Sequence, residues 1–322
     1  MSQITAVGLD TSKHVFHVLG LNRAGKEKLR KKLRRNRVLR FFAQLPPTVV
    51  GLETCSGSHY WARELQKLGH TVRLIPAQDV KALRRGQKND FNDALAIAEA
   101  IGRPEQRFVP IKSMADHDFQ LLQRLRRGYI ESRTAQSNRI RGLLAEYGLV
   151  LPKGLAALRR QVPAILEDAD NGLSLPVRHL LHQALAYIQH LDEQIAVCKQ
   201  QMDEQLQHDE VAQRLLAQPG FGPVLTASWR AKIGDGRWFK RGRDVSAAIG
   251  LVPAQHTTGG RPLLLGITKS GDKELRTLLI HAARSVVRHA HKKDDPLSRW
   301  ICQVMARRGI HKATVALANK MA

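Results

Sequence analysis

The stretch ITAVGLD (residues 4–10) is a short apolar run that ends on a carboxylate, Asp10. A second apolar run, VFHVL (residues 15–19), follows after the three residues Thr11-Ser12-Lys13. Apolar runs of this length predict β-strands, and a link of three residues is the size that joins neighbouring strands in a hairpin. The start of the chain therefore predicts a β-hairpin with Asp10 at the end of its first strand.

Two further runs continue this pattern. TVVGLE (residues 48–53) also ends on an acid, Glu53, and TVRLI (residues 71–75) is the fourth predicted strand. Between them, apolar residues from Ser58 to Leu68 recur at helical spacing, and Gly69 is a typical stop. A hairpin followed by alternating strand and helix predicts a mixed α/β sheet.

The pattern becomes helical after this sheet. Apolar positions predict one helix over residues 116–147 and a longer one over about 177–216, whose stripe steps mostly by 3 and 4. Such a stripe is typical of a coiled coil or a helical hairpin, and equally of one amphipathic helix packed on its own domain. Beyond Pro219 the sequence turns Gly-rich before an apolar helix over about 273–291. We predict an α/β domain at 1–112, a helical coiled-coil connector at 113–216 and a mainly α domain at 217–322.

The composition is strongly basic, because 52 Lys and Arg against 28 Asp and Glu leave a formal net charge of +24. Such a field attracts polyanions, and nucleic acid is the obvious one, since neutralising its phosphates releases condensed counterions. An anionic membrane is the competing partner, but the sequence shows neither an apolar run of spanning length nor a secretory signal. The three cysteines, Cys55, Cys198 and Cys302, fit a reducing compartment and form no zinc pattern. We predict a cytoplasmic nucleic-acid-binding protein without a membrane partner.

Four acids stand out in this basic chain. Asp10 and Glu53 each end a predicted strand, while Asp90 and Asp93 lie three residues apart on one face of a helix start. Taken singly, such acids are common turn residues and helix caps. As a set, converging carboxylates need a cation, and Mg²⁺ (or Mn²⁺) accepts oxygen ligands and leaves positions for phosphate oxygens. We therefore predict these four acids as the metal ligands of a site that acts on phosphodiesters.

Three motifs around these acids resemble those of a known family. GLDTSK (residues 8–13), ETCSG (residues 53–57) and NDFNDA (residues 89–94) resemble the Asp-Glu-Asp-Asp (DEDD) motifs of an insertion-sequence transposase family. The resemblance implies an RNase H-like (RuvC-like) fold for the N-terminal domain, DNA as substrate and guidance by a bridge RNA. It also implies that Asp10, Glu53, Asp90 and Asp93 hold the metal.

The C-terminal part carries the second half of the resemblance. IGLVPAQHTTGG (residues 249–260) and GITKSG (residues 266–271) resemble the C-terminal transposase domain of the same family. QPGFGP (residues 218–223) resembles the turn of a helix-hairpin-helix element, although a plain Gly-Pro turn between helices is the alternative. The resemblance also leads us to expect some further residues after Ala322.

The resemblance implies a serine nucleophile before the Gly-Gly pair, one that becomes covalently joined to DNA. Here both positions are threonine. By register from Pro253 we assign the nucleophile position to Thr258, with Thr257 as the neighbouring alternative and Ser270 as a further hydroxyl. A threonine hydroxyl can attack, but its β-methyl group restricts χ1 and crowds the approach.

Basic segments accompany both halves of the chain. Residues 26–40 hold nine basic residues and one acid, and this segment would follow a phosphate backbone if exposed, with a solvated helix face as the alternative. The residues predicted to contact nucleic acid are Arg34, Arg35, Arg37, Arg84, Arg85, Lys88, Lys240, Arg241, Arg243 and Lys269. Beside the C-terminal group, Trp229 and Trp238 are predicted either to stack on bases, together with phosphate contacts from Lys232, or to belong to the core.

Three functions remain open from the sequence. The first is an RNA-guided DNA recombinase that cleaves and rejoins strands at an insertion element and its target, for which exchange between two duplexes implies a dimer or tetramer. The second is a structure-selective, metal-dependent nuclease of the junction-resolving kind. The third is a non-catalytic nucleic-acid-binding protein whose acids cap helices. The C-terminal block favours the first over the second, because a simple nuclease has no need of it, and the four acids argue against the third.

Overall fold

A computed structural model describes residues 4–87 and 89–322, which divide between Ser113 and Met114 into an N-terminal unit and a C-terminal unit. Each unit has its own core of buried apolar side chains. Lys88, predicted to contact nucleic acid, lies outside the described residues. The division into three domains stays a prediction.

The N-terminal unit is a mixed sheet covered by helices. Its elements are β1 (Ile4–Asp10), β2 (Val15–Asn22), β3 (Glu27–Arg34), α1 (Val38–Phe42), β4 (Val49–Glu53), α2 (Ser58–Lys67), β5 (Thr71–Ile75), α3 (Ala77–Leu83) and α4 (Asp90–Ile101). The five strands lie in the order β3-β2-β1-β4-β5. β1 and β3 run antiparallel to β2, while β4 runs parallel to β1 and β5. The predicted hairpin and the mixed α/β sheet are confirmed.

β3 is a strand that the sequence pattern did not predict, because six of its eight residues are charged. It is the edge strand of the sheet, where charged side chains are tolerated and discourage pairing with other chains. Only Leu29 and Leu33 turn toward the core. The interpretation of residues 26–40 as a possible helix face is therefore wrong for this part, which is a basic strand.

The two faces of the sheet carry different helices, and two glycines decide how closely one of them approaches. Val7 and Leu9 of β1 pack in the same core as Trp61 and Leu65 of α2. Side chains alternate along a strand, so Gly8 faces the opposite side, where α4 lies. A Cβ atom at Gly8 would stand 1.9 Å from the carbonyl oxygen of Ala94. Gly51, paired with Gly8 on β4, faces the same helix, so α4 sits directly on the backbone of both strands.

Gly8→Ala is expected to lower the free energy of unfolding by at least about 2 kcal/mol, because the added methyl group meets helix backbone that cannot move aside alone. Gly102→Ala in the same unit is the matched control, since its Cβ would have only an ordinary contact at 3.8 Å. Chemical denaturation followed by circular dichroism measures both variants. Equal stabilities for the two would contradict the close approach of α4.

The C-terminal unit is mainly helical and contains one β-hairpin within its described residues. Its elements are α5 (Met114–Ala145), α6 (Leu155–Glu167), α7 (Leu175–Gln207), α8 (Glu210–Leu216), α9 (Pro223–Ile233), α10 (Gly242–Ala248), β6 (Pro253–Thr258), β7 (Arg261–Ile267), α11 (Lys273–His289) and α12 (Pro296–Met321). β6 and β7 pair antiparallel. The pair Gly259-Gly260 forms their turn with φ of 57° and 76°, the left-handed values that a tight two-residue hairpin turn requires.

The long helix predicted over 177–216 is two helices. α7 ends at Gln207, and the carboxylate of Asp209 accepts a hydrogen bond from the backbone N–H of Ala212, which caps the start of α8. The apolar stripe of α7 is buried within its own unit, antiparallel to α5, with Phe119 beside Met202 and Leu206. The interpretation as an amphipathic helix packed on its own domain accounts for this stripe.

Not every apolar residue predicted to line α5 is buried. Ile140 and Leu144 are in the core, whereas Leu125, Leu143 and Tyr147 are exposed. None of the helices within residues 4–87 and 89–322 combines the length and the apolar character that crossing a membrane requires.

Candidate metal centre and nucleic-acid interface

Asp10 and Glu53 meet at one edge of the N-terminal sheet. Asp10 ends β1 and Glu53 ends β4, and these two strands are parallel neighbours in which Leu9 pairs with Leu52. Each acid lies two residues beyond a glycine that faces α4, so the alternation of side chains places both acids on the α4 side. The sheet thus brings together two acids that are 43 positions apart in sequence.

α4 contributes the other two acids. Asp90 and Asp93 lie in its first turn, and the side chain of Asn89 caps the helix by accepting a hydrogen bond from the N–H of Phe91. Asp93 is buried, whereas the Asp90 side chain is 64% exposed. All four acids line one cleft of about 580 Å³. The other residues of its lining are Thr11, Ser12, Cys55, Ala77, Val80, Lys81 and Arg84.

The electrostatics of this cleft favour a bound cation. Burial raises the pKa of Asp10, and the negative charges of the other three acids raise it too, from 3.8 to about 7. Carboxylate oxygens are the ligands that hard divalent cations prefer. Burial also raises the pKa of the Cys55 thiol, which therefore stays protonated at neutral pH and is a poor ligand. The donor set fits a divalent cation with oxygen preference.

Because the pKa of Asp10 is higher in the folded protein than in the unfolded chain, the protonated carboxyl favours folding. This contribution to the free energy of unfolding is fully present below about pH 4 and is lost as the pH rises toward 7. A divalent cation replaces the proton, so Mg²⁺ or Mn²⁺ should raise the melting temperature more at pH 8 than at pH 6. At pH 6 the competing proton weakens apparent affinity by about tenfold. Thermal melts with and without metal test this expectation. Equal shifts at both pH values, or shifts that survive Asp10→Asn, would contradict it.

Arg84 is bound to the acid cluster. Its Nη1 donates to Oδ1 of Asp93 at 3.0 Å, and both side chains are largely buried. Arg85 lies 3.7 Å from Glu99 and is 81% exposed. Arg84 therefore neutralises one acid of the cluster, while Arg85 keeps a surface position. The predicted nucleic-acid contacts of both residues stay predictions.

His17 is a residue of this site that the sequence analysis missed. It pairs with Asp10 across β1 and β2, so both side chains lie on the same face of the sheet. Ligand atoms of Asp10, His17 and Asp90 all lie within 4.8 Å of one another. The signal in the sequence was a histidine inside an apolar strand directly opposite the strand-ending acid, a position that equally fits a core histidine.

Basic residues at the end of β3 and directly after it border a second cleft of the same unit. Arg34, Arg35, Tyr60 and Trp61 are part of the lining of this cleft, which is about 620 Å³ in volume. The guanidinium of Arg35 lies 5.0 Å from the centre of the Trp61 ring, a cation–π contact. Arg37 is exposed. Arg35 therefore differs from Arg34 and Arg37 in that its guanidinium is held against an aromatic ring.

Thr257 and Thr258 lie at the end of β6, next to the hairpin turn, and both are exposed. The hydroxyl of Thr257 accepts a hydrogen bond from Nε2 of Gln255 at 2.8 Å. Neighbouring residues of a strand point to opposite faces, so the two hydroxyls serve different sides of the hairpin. Ser270 lies in a turn held by Arg276, whose Nη1 donates to the carbonyl oxygens of Ile249 and Ser270, at 2.7 Å in each case.

The C-terminal basic group is partly exposed. Lys240, Arg241, Arg243 and Lys269 are all at the surface. Trp229 is 8% exposed and packs edge-on against Phe221, so the alternative that it belongs to the core is confirmed, whereas Trp238 is 51% exposed. Lys232 forms ion pairs with Asp272 and Glu274 instead of facing solvent.

Both halves of the chain are similar to known transposases. Residues 7–149 match the DEDD transposase family of IS110 elements, and residues 212–298 match the transposase family IS116/IS110/IS902. A probable family 20 transposase of Pseudomonas aeruginosa is 43% identical over 99% of this chain and 95% of its own length. The transposase for insertion sequence element IS1111A of Coxiella burnetii is 38% identical over all of this chain and 88% of its own. The transposase for insertion sequence element IS1328 of Yersinia enterocolitica is 35% identical over all of this chain and 96% of its own.

Proposed function

The chain belongs to the IS116/IS110/IS902 family of transposases, and on that premise we propose that it is an RNA-guided DNA recombinase. It cleaves and rejoins strands at an insertion element and its target. Asp10, Glu53, Asp90 and Asp93 hold divalent cations, Mg²⁺ or Mn²⁺, and Thr258 (or Thr257) supplies the nucleophilic hydroxyl. The observation that carries this proposal is the convergence of the four acids in one cleft of a mixed α/β unit.

The acid cluster supports phosphodiester chemistry. A divalent cation held by these four acids would supply positive charge that offsets the negative charge of the scissile phosphate. The chain's own residues hold the acids in place: Gly8 and Gly51 let α4 approach the sheet, and Arg84 positions Asp93 by a direct ion pair. The DEDD transposase domain implies an RNase H-like fold, and the sheet order with its antiparallel hairpin and parallel neighbours supports the RuvC-like assignment.

The edge strand β3 supports a path for the nucleic acid toward this cleft. Lys32 pairs with His17, which pairs with Asp10, so all three side chains share one face of the sheet. Two strand spacings separate Lys32 from Asp10, about 10 Å between Cα atoms. Arg34, two residues further along β3, lies at the same end of the sheet. A phosphate backbone lying along β3 would therefore be separated from Asp10 by one strand, β2, at the same end of the sheet.

The hydroxyl nucleophile fits the exposed hairpin. In the proposed step the Thr258 hydroxyl gives up its proton as its oxygen forms a bond to the scissile phosphorus, the phosphorus–oxygen bond within the DNA breaks, and the departing DNA oxygen takes up a proton. The reverse step with another DNA end rejoins the strands, because the covalent phosphoester conserves the energy of the broken bond. Guidance by a bridge RNA and assembly as a dimer or tetramer follow from the resemblance of the motifs and from strand exchange between duplexes.

The test is a denaturing gel of the protein with its co-purifying RNA, Mg²⁺ and labelled element-end DNA. A protein–DNA adduct that survives denaturation and needs the metal is the expected result. Metal-dependent cutting without an adduct would indicate a structure-selective nuclease instead of a recombinase. Binding without any cutting would indicate a non-catalytic nucleic-acid-binding protein. Ribonuclease treatment before the reaction is expected to abolish site-specific adduct formation, which tests the RNA guide separately.

Replacing Arg34, Arg35 and Arg37 by Ala is expected to weaken nucleic-acid binding and to reduce the slope of log affinity against log salt by roughly 2 to 3, one counterion for each lost phosphate contact. The matched control is Arg23→Ala with Lys26→Ala, two exposed cations at the opposite end of the same sheet. Binding titrations at several salt concentrations measure the slope. An unchanged slope in the triple variant would show that these arginines do not contact phosphate.

A further inference from the structure

The ring of His17 is a buried polar group without a hydrogen bond on one of its nitrogens. The residue is 7% exposed, and Nδ1 is shielded from solvent with no hydrogen-bond partner among the described residues. The nearest charged atom is Oδ2 of Asp90, at 3.4 Å. Buried polar atoms in proteins are nearly always paired, so an unpaired nitrogen that faces acids indicates a missing partner.

The surroundings hold this ring in one orientation. β1 and β2 fix the position of His17 opposite Asp10. Phe91 packs edge-on against the imidazole with 4.7 Å between ring centres, and the guanidinium of Arg30 lies 4.7 Å from the centre of the Phe91 ring. The ring is therefore braced from the side of β3 and α4, with its Nδ1 beside the acid cluster.

We propose that Nδ1 of His17 is a direct ligand of a divalent cation, together with carboxylate oxygens of Asp10 and Asp90. This inference rests on the cation site of the proposed function and adds a nitrogen donor to it. The ligand atoms of these three residues already lie within 4.8 Å of one another, which is the spacing of donors around one ion. The cation supplies the partner that Nδ1 lacks.

A nitrogen donor changes which metal the site prefers. Mg²⁺ favours an all-oxygen octahedral shell, whereas imidazole is a common ligand of first-row transition metals, which bind nitrogen more strongly. The mixed site is therefore expected to bind Mn²⁺ in preference to Mg²⁺. Loss of the imidazole should reduce Mn²⁺ affinity by at least about tenfold, because removing even an outer-shell partner of a metal ligand costs about that much, and Mg²⁺ affinity by less.

The test is electron spin echo envelope modulation of the full chain loaded with Mn²⁺, a measurement that detects a nitrogen nucleus bound to the metal and needs no catalytic activity. Protein carrying ¹⁵N-labelled histidine shows the ¹⁵N pattern in place of the ¹⁴N pattern if a histidine is the ligand. This comparison requires no substitution, so it holds even if a variant at the buried position fails to fold. His17→Gln should remove the nitrogen signal, while His14→Gln, an exposed histidine on the same hairpin, should keep it.

The outcomes separate this inference from the proposed function. A nitrogen signal that follows the histidine label and disappears in His17→Gln supports the mixed site. Stoichiometric Mn²⁺ binding with oxygen ligands alone overturns the role of His17 and leaves the four-acid site standing. Mn²⁺ binding that is absent, or unchanged by Asp10→Asn, overturns the cation site itself and the inference with it.

Discussion

Asp10→Asn should abolish DNA cleavage, with a loss of at least about a thousandfold, while RNA binding stays near normal. Asp10 is the central acid of the cluster: it ends β1, pairs with His17 and feels the charges of the three other acids, which with burial raise its pKa to about 7. An asparagine keeps the size of the side chain but removes the charge that binds a cation. Single-turnover cleavage of labelled element-end DNA measures the loss.

The same substitution should not destabilise the metal-free protein, because it removes a buried charge that the neighbouring acids repel. This separates a catalytic loss from unfolding. Asp79→Asn is the matched control, since Asp79 belongs to α3 of the same unit and accepts a hydrogen bond from Gln106 that an amide oxygen can also accept. Full cleavage by Asp10→Asn would show that Asp10 is not a metal ligand. Asp93→Asn repeats the test for the acids of α4.

Thr258→Ala should eliminate the denaturation-resistant protein–DNA adduct completely, because no other atom of the side chain can form the phosphoester. Thr258→Ser should restore the adduct or increase it, since serine lacks the β-methyl group that restricts the approach. The gel that detects the adduct also reports noncovalent binding when it is run without denaturant. Binding should be unchanged in both variants, because the residue is exposed and near the tip of the hairpin.

Thr257→Ala is the control that the hairpin itself offers. Thr257 points to the opposite face of β6, and its hydroxyl already accepts a hydrogen bond from Gln255. The adduct should therefore survive this substitution. Loss of the adduct in Thr257→Ala and its survival in Thr258→Ala would move the nucleophile by one residue, and survival in both would leave Ser270 as the next hydroxyl to test.

Local sequence pattern was enough to predict the elements on which the acids lie. The apolar runs that end at Asp10 and Glu53 have the length and composition of buried strands, and parallel pairing then brings their ends to one edge. Asp90 and Asp93 follow a capping residue and share a helix face by their spacing alone. These properties depend on neighbours within a few residues, which a single sequence contains.

Other features depend on contacts between distant residues. β3 is a strand because β2 offers it a hydrogen-bonding edge, and its own basic residues have no strand-forming pattern. A local capping bond at Asp209 divides the long helix, and the apolar stripe that continues past it concealed the break. Trp229 is buried in the core and is therefore not available to a binding partner, although basic residues surround it in the sequence.

The site shows the same division. The sequence by itself determined which carboxylates are available and that they gather at one end of a mixed sheet, because strand ends and helix starts are local. Only the tertiary structure decided that His17 faces Asp10 and Asp90, that Arg84 is bound to Asp93, and that α4 rests on the backbone at Gly8. The physical reason is that register, burial and ion pairing are set by packing between elements.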